Sequence, residues 1–441
     1  MKAQISHFVR TASCLHLTHR TNRSPYETPW DRAVKVDYID KTDSKFGLSS
    51  LGWAASNGEV EAVRVLLDRR ANVEPQGTRQ KSPLLCAVSN GHIEVVKLLL
   101  NRGANVEVQN THETGLSALR TAIWRRDEEM VKLLVKMGAN VDALGPDGCS
   151  PLHWAALKRD KEMLKLLVKI GANLDMETTD GYSALHSAIS SSGTWRIWHV
   201  AGTPLVPADP FDKTARSKEF LEIAKYLLDE GASLEKPSTK NAFPIHAAVR
   251  TGHVEMVKLL LDYGASIETL DKDGRSALGC AALEGCSEYS DWREKVNLLV
   301  DRGAKFEAAN MVSPLYLAAI EGHVEMVHLL LAKGATVDAE SHGWSPLVAA
   351  ASRGHLDAAK VLLANGAKVD AYSTTHWSPL LAAASHGCVE MVKFLLNVGA
   401  NAEGVREKFG TSLQDYVRSV HAKERDSDNR KRLLEIVSIL E

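Results

Sequence analysis

The chain has 441 residues, a formal net charge of −2 and 24% charged residues. Such a balance gives a polyanion no electrostatic attraction, and no apolar run reaches the roughly 18 residues of a membrane span, so we expect neither a nucleic-acid partner nor a membrane span. Six cysteines without a CxxC pair indicate a reducing compartment.

Residues 1–44 differ in composition from the rest of the chain. Up to Arg23 they include Lys2, Arg10 and Arg20 but no acidic residue, a composition shared with mitochondrial transit peptides. Apolar residues are sparse, and chain ends often lack structure, which favours an irregular or disordered arm. We therefore expect a cytoplasmic or nuclear protein, with mitochondrial targeting by this arm as the alternative.

From residue 45 to residue 441 the chain is a tandem array of one short unit. The segment GHVEMVKLLLDYGAS at Gly252 returns with small changes at Gly91 and Gly322, and each copy follows a phrase of the type Ser-Pro-Leu. Most successive phrases are 32 to 35 residues apart. They begin at Ser49, Ser82, Ser117, Ser150, Ser183, Phe243, Ser276, Ser313, Ser345, Ser378 and Thr411.

Each unit predicts two short helices. Ser caps the first helix, and Pro fits its first position because no N–H is needed there. A glycine such as Gly91 ends this helix. The second helix is apolar around most of its circumference and must be buried on several sides. A Gly-Ala pair closes it, with Gly in the left-handed conformation. Arg70 replaces this Gly in the first copy, so we expect the first repeat to be less regular.

Two helices and a hairpin-like connector in about 33 residues, with a TPLHxA-type phrase, are typical of ankyrin repeats. The chain resembles that family from about Leu48 to its end, with about eleven repeats. The resemblance implies an all-α solenoid of stacked helix pairs that forms one elongated domain. The His of the phrase survives only as His153, His186 and His246, so other units must satisfy their turns without it. Residues 409–441 run charged and predict a terminal cap repeat.

Two units carry insertions between their helices, at about 190–217 in the fifth repeat and about 286–292 in the seventh. Insertions of one type emerge on one face of a solenoid, and that face often binds. The longer insertion contains Trp195 and Trp198, which is too apolar for a simple linker. It either folds back on its own repeats or forms a second binding surface.

The family resemblance also implies a concave surface, onto which the residue before each Ser projects. Trp344 and Trp377 hold this position in successive units, and His342, Tyr372 and His376 flank them. Binding hot spots are enriched in Trp, Tyr and Arg, so these residues predict an aromatic ridge for a partner protein. The alternative is that each Trp merely packs against the next connector. The position is otherwise held by Lys81, Leu116, Cys149, Tyr182, Ala242, Arg275 and Val312, among which Tyr182 and Arg275 are further candidates for partner binding.

Sequence motifs for catalysis are missing: the chain has no GxGxxG, GxxxxGK[ST], GxSxG or HExxH. His323 and His328 are five positions apart and diverge on a helix. We predict no catalytic residues, cofactor or metal, and a monomeric scaffold or adaptor that binds partner proteins. The alternatives are a regulatory or targeting subunit that recruits an enzyme to a substrate, for example in signalling, transcription or ubiquitination, and a host-directed effector.

Overall fold

A computed structural model of the chain confirms the predicted helix pairs and the all-α solenoid class. It describes Asp40, Thr42 and residues 47–74, 81–109, 115–189, 213–238, 242–251, 254–285, 291–371, 377–403, 411–423 and 426–440. Within these ranges there are twenty-two α-helices and no strand. The chain divides into two compact units, 1–188 with 193–213, and 189–192 with 214–441.

In the first unit, short first helices pack side by side along the stack, and each second helix packs against its own first helix. The helices up to the long insertion are α1 (Ser50–Asn57), α2 (Val60–Asp68), α3 (Pro83–Asn90), α4 (Ile93–Asn101), α5 (Ala118–Trp124), α6 (Glu128–Lys136), α7 (Pro151–Leu157), α8 (Lys161–Lys169) and α9 (Ala184–Ile189).

The second unit repeats this arrangement and ends on two longer helices. Its helices are α10 (Lys213–Asp229), α11 (Pro244–Thr251), α12 (Val254–Asp262), α13 (Ala277–Glu284), α14 (Trp292–Asp301), α15 (Pro314–Glu321), α16 (Val324–Ala332), α17 (Pro346–Arg353), α18 (Leu356–Ala364), α19 (Pro379–Ser385), α20 (Val389–Asn397), α21 (Leu413–Lys423) and α22 (Ser427–Ile439).

A helix begins within each of the two predicted insertions. Helix α10 begins at Lys213, so residues 213–217 are helical and not part of the long loop. Trp292 begins α14 and is buried, so it belongs to the core and not to the short insertion. An apolar residue at a helix start packs inward once the helix has formed, and the length count alone could not locate that start. Residues 190–212 and 286–290 lie outside the described residues.

The first repeat is as regular as the others, and the prediction to the contrary is wrong for its helices. Helices α1 and α2 have 8 and 9 residues, as α3 and α4 do. Arg70 adopts the left-handed conformation with φ of 65°, where the next copy has Gly103 with φ of 90°. The backbone geometry is therefore kept, at a conformational cost of roughly 1–2 kcal/mol for a non-Gly residue.

The recurring Gly-His phrase joins neighbouring repeats. Gly58 has φ of 73°, and a Cβ there would lie 2.6 Å from Nδ1 of His92, whose Nε2 is 3.0 Å from the carbonyl oxygen of Ser56. In the third repeat Arg126 replaces the Gly with φ of 57°, and Asp160 of the following repeat replaces the His. Their side chains form an ion pair of 2.8 Å. The pair of a Gly and a His ring is thus replaced here by a long Arg side chain and a shorter Asp side chain.

A row of carboxylates also couples successive repeats. One Asp or Glu in a connector accepts a hydrogen bond from a backbone N–H in the next connector, at 2.6–3.3 Å. Each bond stabilises only the interface between two neighbours, as expected for a repeat stack. The acceptors are Asp40, Glu74, Glu107, Asp142, Glu235, Glu268, Glu307, Asp338 and Asp370. The first acceptor among the described residues is Asp40, which lies within the segment predicted as an arm.

The three histidines of the repeat phrase are structural. Nδ1 of His153 accepts the Ser150 N–H at 3.3 Å, and its Nε2 donates to the carbonyl of Tyr182 in the next repeat at 2.8 Å. His246 does the same with Phe243 and Thr269. In six units without the His, the Ser side chain accepts the N–H of the third helical residue instead, whereas Ser82 of the second repeat makes no such bond. These acceptors are Ser49, Ser117, Ser276, Ser313, Ser345 and Ser378.

These bonds predict that acid weakens the fold. Burial lowers the pKa of His153 and of His246 below 6.5, the ordinary value. The unfolded chain then binds more protons, so their contribution to stability is complete above pH 6.5 and is lost as the pH falls below it. We expect the free energy of unfolding in urea to fall from pH 7 to pH 5, and to fall less in the His153→Gln, His246→Gln double variant.

The control for this prediction is His328→Gln, which changes an exposed histidine. Its pH dependence should match that of the unchanged chain. The variants are compared with the unchanged chain at every pH from 7 to 5, because burial raises the pKa of Glu284 to about 7, which acts in the opposite direction in all of them and cancels in the difference. If the free energy of unfolding has the same dependence on pH in the double variant and in the unchanged chain, the two histidines are not held neutral by their hydrogen bonds.

Candidate functional site

Trp344 and Trp377 come together at the surface of the second unit. Trp344 lies in a tight connector in which its backbone and that of Ser341 exchange hydrogen bonds of 2.9 Å. The ring centroids of the two tryptophans are 5.6 Å apart at 35°, and both side chains are half-buried. Two aromatic residues at one position of successive repeats thus lie side by side.

His386 completes this group, and sequence reasoning missed it. It caps the end of α19 and is exposed, and its ring lies 6.4 Å from Trp344 and 6.1 Å from Trp377. Its Nδ1 is 2.9 Å from the carbonyl oxygen of Ala382. We call Trp344, Trp377 and His386 the C-terminal aromatic cluster.

The other predicted members of the ridge have different surroundings. His342 is exposed with φ of 53°, and its ring lies 6.1 Å from that of Tyr316 in an edge-on arrangement. Tyr316 is buried, which raises the pKa of its hydroxyl. Tyr372 and His376 lie outside the described residues. The described part of the predicted ridge is therefore a tryptophan pair and a separate His–Tyr pair.

The other residues that precede the Ser of a repeat phrase differ in their exposure to solvent. Tyr182 is half-buried, with its ring 5.6 Å from that of His186. The guanidinium of Arg275 is paired with Asp271, at 2.9 Å, and with Asp273 of its own connector. Its charge is thus already satisfied within the repeat. Cys149 and Val312 are buried, so the expectation that they project onto a surface is wrong. Trp195 and Trp198 lie outside the described residues.

A buried ion pair in the first unit was also missed. Arg120 occupies the position of the phrase's His, and its guanidinium pairs with the carboxylate of Asp147 and donates to the carbonyl of Cys149 at 3.0 Å. It thereby makes the bond to the next repeat that His153 makes elsewhere. Although burial favours a neutral acid, the bonds and charge of Arg120 hold the pKa of Asp147 below its usual value. The side chains are 5% and 4% exposed, so neither charge is hydrated.

The described residues offer little for catalysis. No group of three or more His, Cys, Asp or Glu among them is placed to hold a metal ion. Burial raises the pKa of the thiols of Cys149 and Cys280 to about 12, so neither supplies a thiolate at neutral pH. None of the helices in the described ranges is long and apolar enough to cross a bilayer.

Known proteins and solved structures are similar to parts of this chain. The zebrafish (Danio rerio) protein ZDHHC13, provisionally named a palmitoyltransferase, is 26% identical over 152 residues, which are 27% of this chain and 24% of that protein. The chain thus spans about a quarter of that relative's length. Two solved structures are each 25% identical: the human ASB11 ankyrin repeat domain (58% of this chain, 99% of that chain, TM-score 0.41) and the ankyrin repeat domain of Bcl-3, a member of the IkappaB family (57%, 99%, 0.43).

Family models of ankyrin repeats match most of the chain. The model of three ankyrin repeats matches residues 32–110, 51–145, 119–197, 213–310 and 290–373, and the single-repeat model matches residues 375–405. The first match begins at residue 32 and therefore includes Asp40, the first carboxylate of the row among the described residues. Ankyrin repeats are protein–protein interaction modules, and this chain belongs to the ankyrin-repeat family.

Proposed function

We propose that the protein is a non-enzymatic scaffold or adaptor and that it binds a partner protein through the C-terminal aromatic cluster. The observation that carries this proposal is the pair of half-buried tryptophan rings, 5.6 Å apart, on the surface of the second unit. Trp truncations are among the costliest at protein interfaces, and side chains that hold each other lose little entropy on binding.

The surroundings of the cluster support a role in binding. First helices α17 and α19 pack directly against each other and are lined with buried alanines, so the backbone beneath the rings is fixed. Each Trp thus projects from a rigid frame, and a partner need not order the site before it binds. The partner's contact residue would stack on or beside the indole rings, and His386 supplies a hydrogen-bonding edge at the rim.

The Trp344→Ala, Trp377→Ala double variant should lose a specific partner. In affinity purification from the native cell extract with quantitative mass spectrometry, we expect at least one protein to fall by about 30-fold or more, the loss typical of a hot-spot truncation. The matched control is Val398→Ala, an exposed apolar residue of the same repeat that is 44% exposed. It should retain every partner.

Stability must be measured beside binding. Both tryptophans are half-buried, so each variant is melted and its circular dichroism recorded, and only folded variants are compared. If the folded double variant retains all partners of the unchanged chain, the C-terminal aromatic cluster is not part of a binding interface. The tryptophans would then serve only to pack one connector on the next.

A further inference from the structure

A second apolar surface lies in the first unit, on the third and fourth repeats. Trp124, the last residue of α5, is 61% exposed and is the most exposed large apolar side chain among the described residues. It borders a small surface pocket whose walls are otherwise mostly apolar. The pocket is lined by Leu116, Arg120, Ile123, Trp124, Pro151 and Trp154. We call this surface the Trp124 groove.

The floor of the Trp124 groove is rigid. The indole N–H of Trp154 donates to the Asp147 carboxylate at 2.5 Å, and this carboxylate is held in turn by Arg120. The guanidinium of Arg120 also lies 5.2 Å from the centre of the Trp154 ring. The wall formed by Trp154 is thus fixed by a buried ion pair, whereas the wall formed by Trp124 is exposed to solvent. A Trp exposed beside a rigid apolar surface is typical of a binding hot spot.

The charges at the rim are unbalanced. Lys158 lies over the Trp154 ring, with Nζ 5.3 Å from its centre, and makes no ion pair with a described residue. Arg125, next to Trp124, donates to the backbone carbonyl of Ser89 and likewise has no carboxylate partner among those residues. The nearby acids are already engaged: Asp160 pairs with Arg126, Asp147 with Arg120, and Asp127 caps α6. Arg125 thus faces the second repeat, whereas Lys158 lies beside the groove without an ion-pair partner among the described residues.

We propose that the Trp124 groove docks a segment of a partner protein in which a large apolar side chain lies next to an acidic residue. The apolar side chain packs against the indole rings of Trp124 and Trp154, and the carboxylate meets Lys158 at the rim. An acidic segment is favoured over a basic or neutral one because the positive charge of Lys158 beside the groove has no ion-pair partner among the described residues. This site is separate from the C-terminal aromatic cluster, which lies on the other unit.

Random short peptides displayed on phage and selected on the full chain test this proposal. Individual enriched peptides are synthesised, and their affinities are measured by fluorescence anisotropy. We expect a class that carries Asp or Glu beside Trp, Phe or Leu and loses about 30-fold in affinity for Trp124→Ala. Lys158→Glu should weaken the same peptides by about three- to tenfold, and added salt should weaken them as well.

Three controls make the outcome decisive. Lys136→Glu makes the same charge change at an exposed end of α6 outside the groove, and the Trp344→Ala, Trp377→Ala double variant alters only the other site. Both should bind the peptides as the unchanged chain does. Selected peptides that all bind Trp124→Ala equally well, or Trp124-dependent peptides that are basic, would overturn the proposal. A dimer in sedimentation that Trp124→Ala dissociates would also overturn it, because the occupant would then be a second copy of this chain.

Discussion

Replacement of Arg120 with alanine should lower the free energy of unfolding of the first unit by about 3–5 kcal/mol. The reason is that Asp147 loses its ion-pair partner. Its carboxylate is 4% exposed and has Arg120 as its ion-pair partner, so truncation leaves a buried negative charge that water cannot reach. The variant also loses the hydrogen bond to the Cys149 carbonyl, which couples the third repeat to the fourth.

Urea titration of the full chain, followed by circular dichroism, measures this effect. Asp147→Ala should cost a similar amount, because it strands the guanidinium. The Arg120→Leu, Asp147→Leu double variant should recover much of the loss, since a buried pair replaced by apolar residues is often neutral. Lys132→Ala breaks an exposed pair with Glu128 and should change stability by less than about 0.5 kcal/mol. If Arg120→Ala behaves like Lys132→Ala, the pair is not buried as described.

The repeat architecture could be predicted from the sequence because its signals are local. Ser and Pro begin the first helix, and a Gly follows the C-terminal end of each of the two helices. These signals act within a few residues, and the repeat period of about 33 residues determines which helices become neighbours. The same reasoning brought Trp344 and Trp377 together, since equal positions in successive repeats are adjacent. Burial at that position depends on the shape of each connector, however, which is why Cys149 and Val312 were misjudged.

Contacts between unlike positions could not be predicted in this way. Arg120 stood out only as a missing His, because its partner Asp147 belongs to the next connector, where Asp also recurs as Asp180 and Asp273 after repeats that keep the His. His386 was missed for a similar reason, since it joins the tryptophans from the end of a helix. The exchange of Gly and His for Arg126 and Asp160 was detectable, because each residue aligns with one position of the recurring Gly-His phrase. The long insertion has no period, so no comparison between copies constrains it.

Replacement of Lys295 with methionine should raise the free energy of unfolding of the second unit by about 1–4 kcal/mol. Equivalent positions in other repeats hold Met256, Met326 and Met391, all buried. Lys295 is itself 1% exposed, and burial lowers the pKa of its ammonium. Its Nζ donates to the Val249 carbonyl at 2.8 Å, but its distance to the Glu284 carboxylate is 3.9 Å, too long for a hydrogen bond. One good bond does not repay the desolvation of a buried cation.

The matched control for Lys295→Met is Lys258→Met, the same substitution at an exposed position of α12, which should stay within about 0.5 kcal/mol of the unchanged chain. Glu284 keeps a cation in the variant, because Nε of Arg250 lies 3.8 Å from its carboxylate, which remains one-third exposed to water. No stranded charge therefore offsets the gain. Loss of stability in Lys295→Met would mean that the bond to the end of α11 outweighs desolvation. The lysine would then act as a cap that joins the sixth repeat to the seventh.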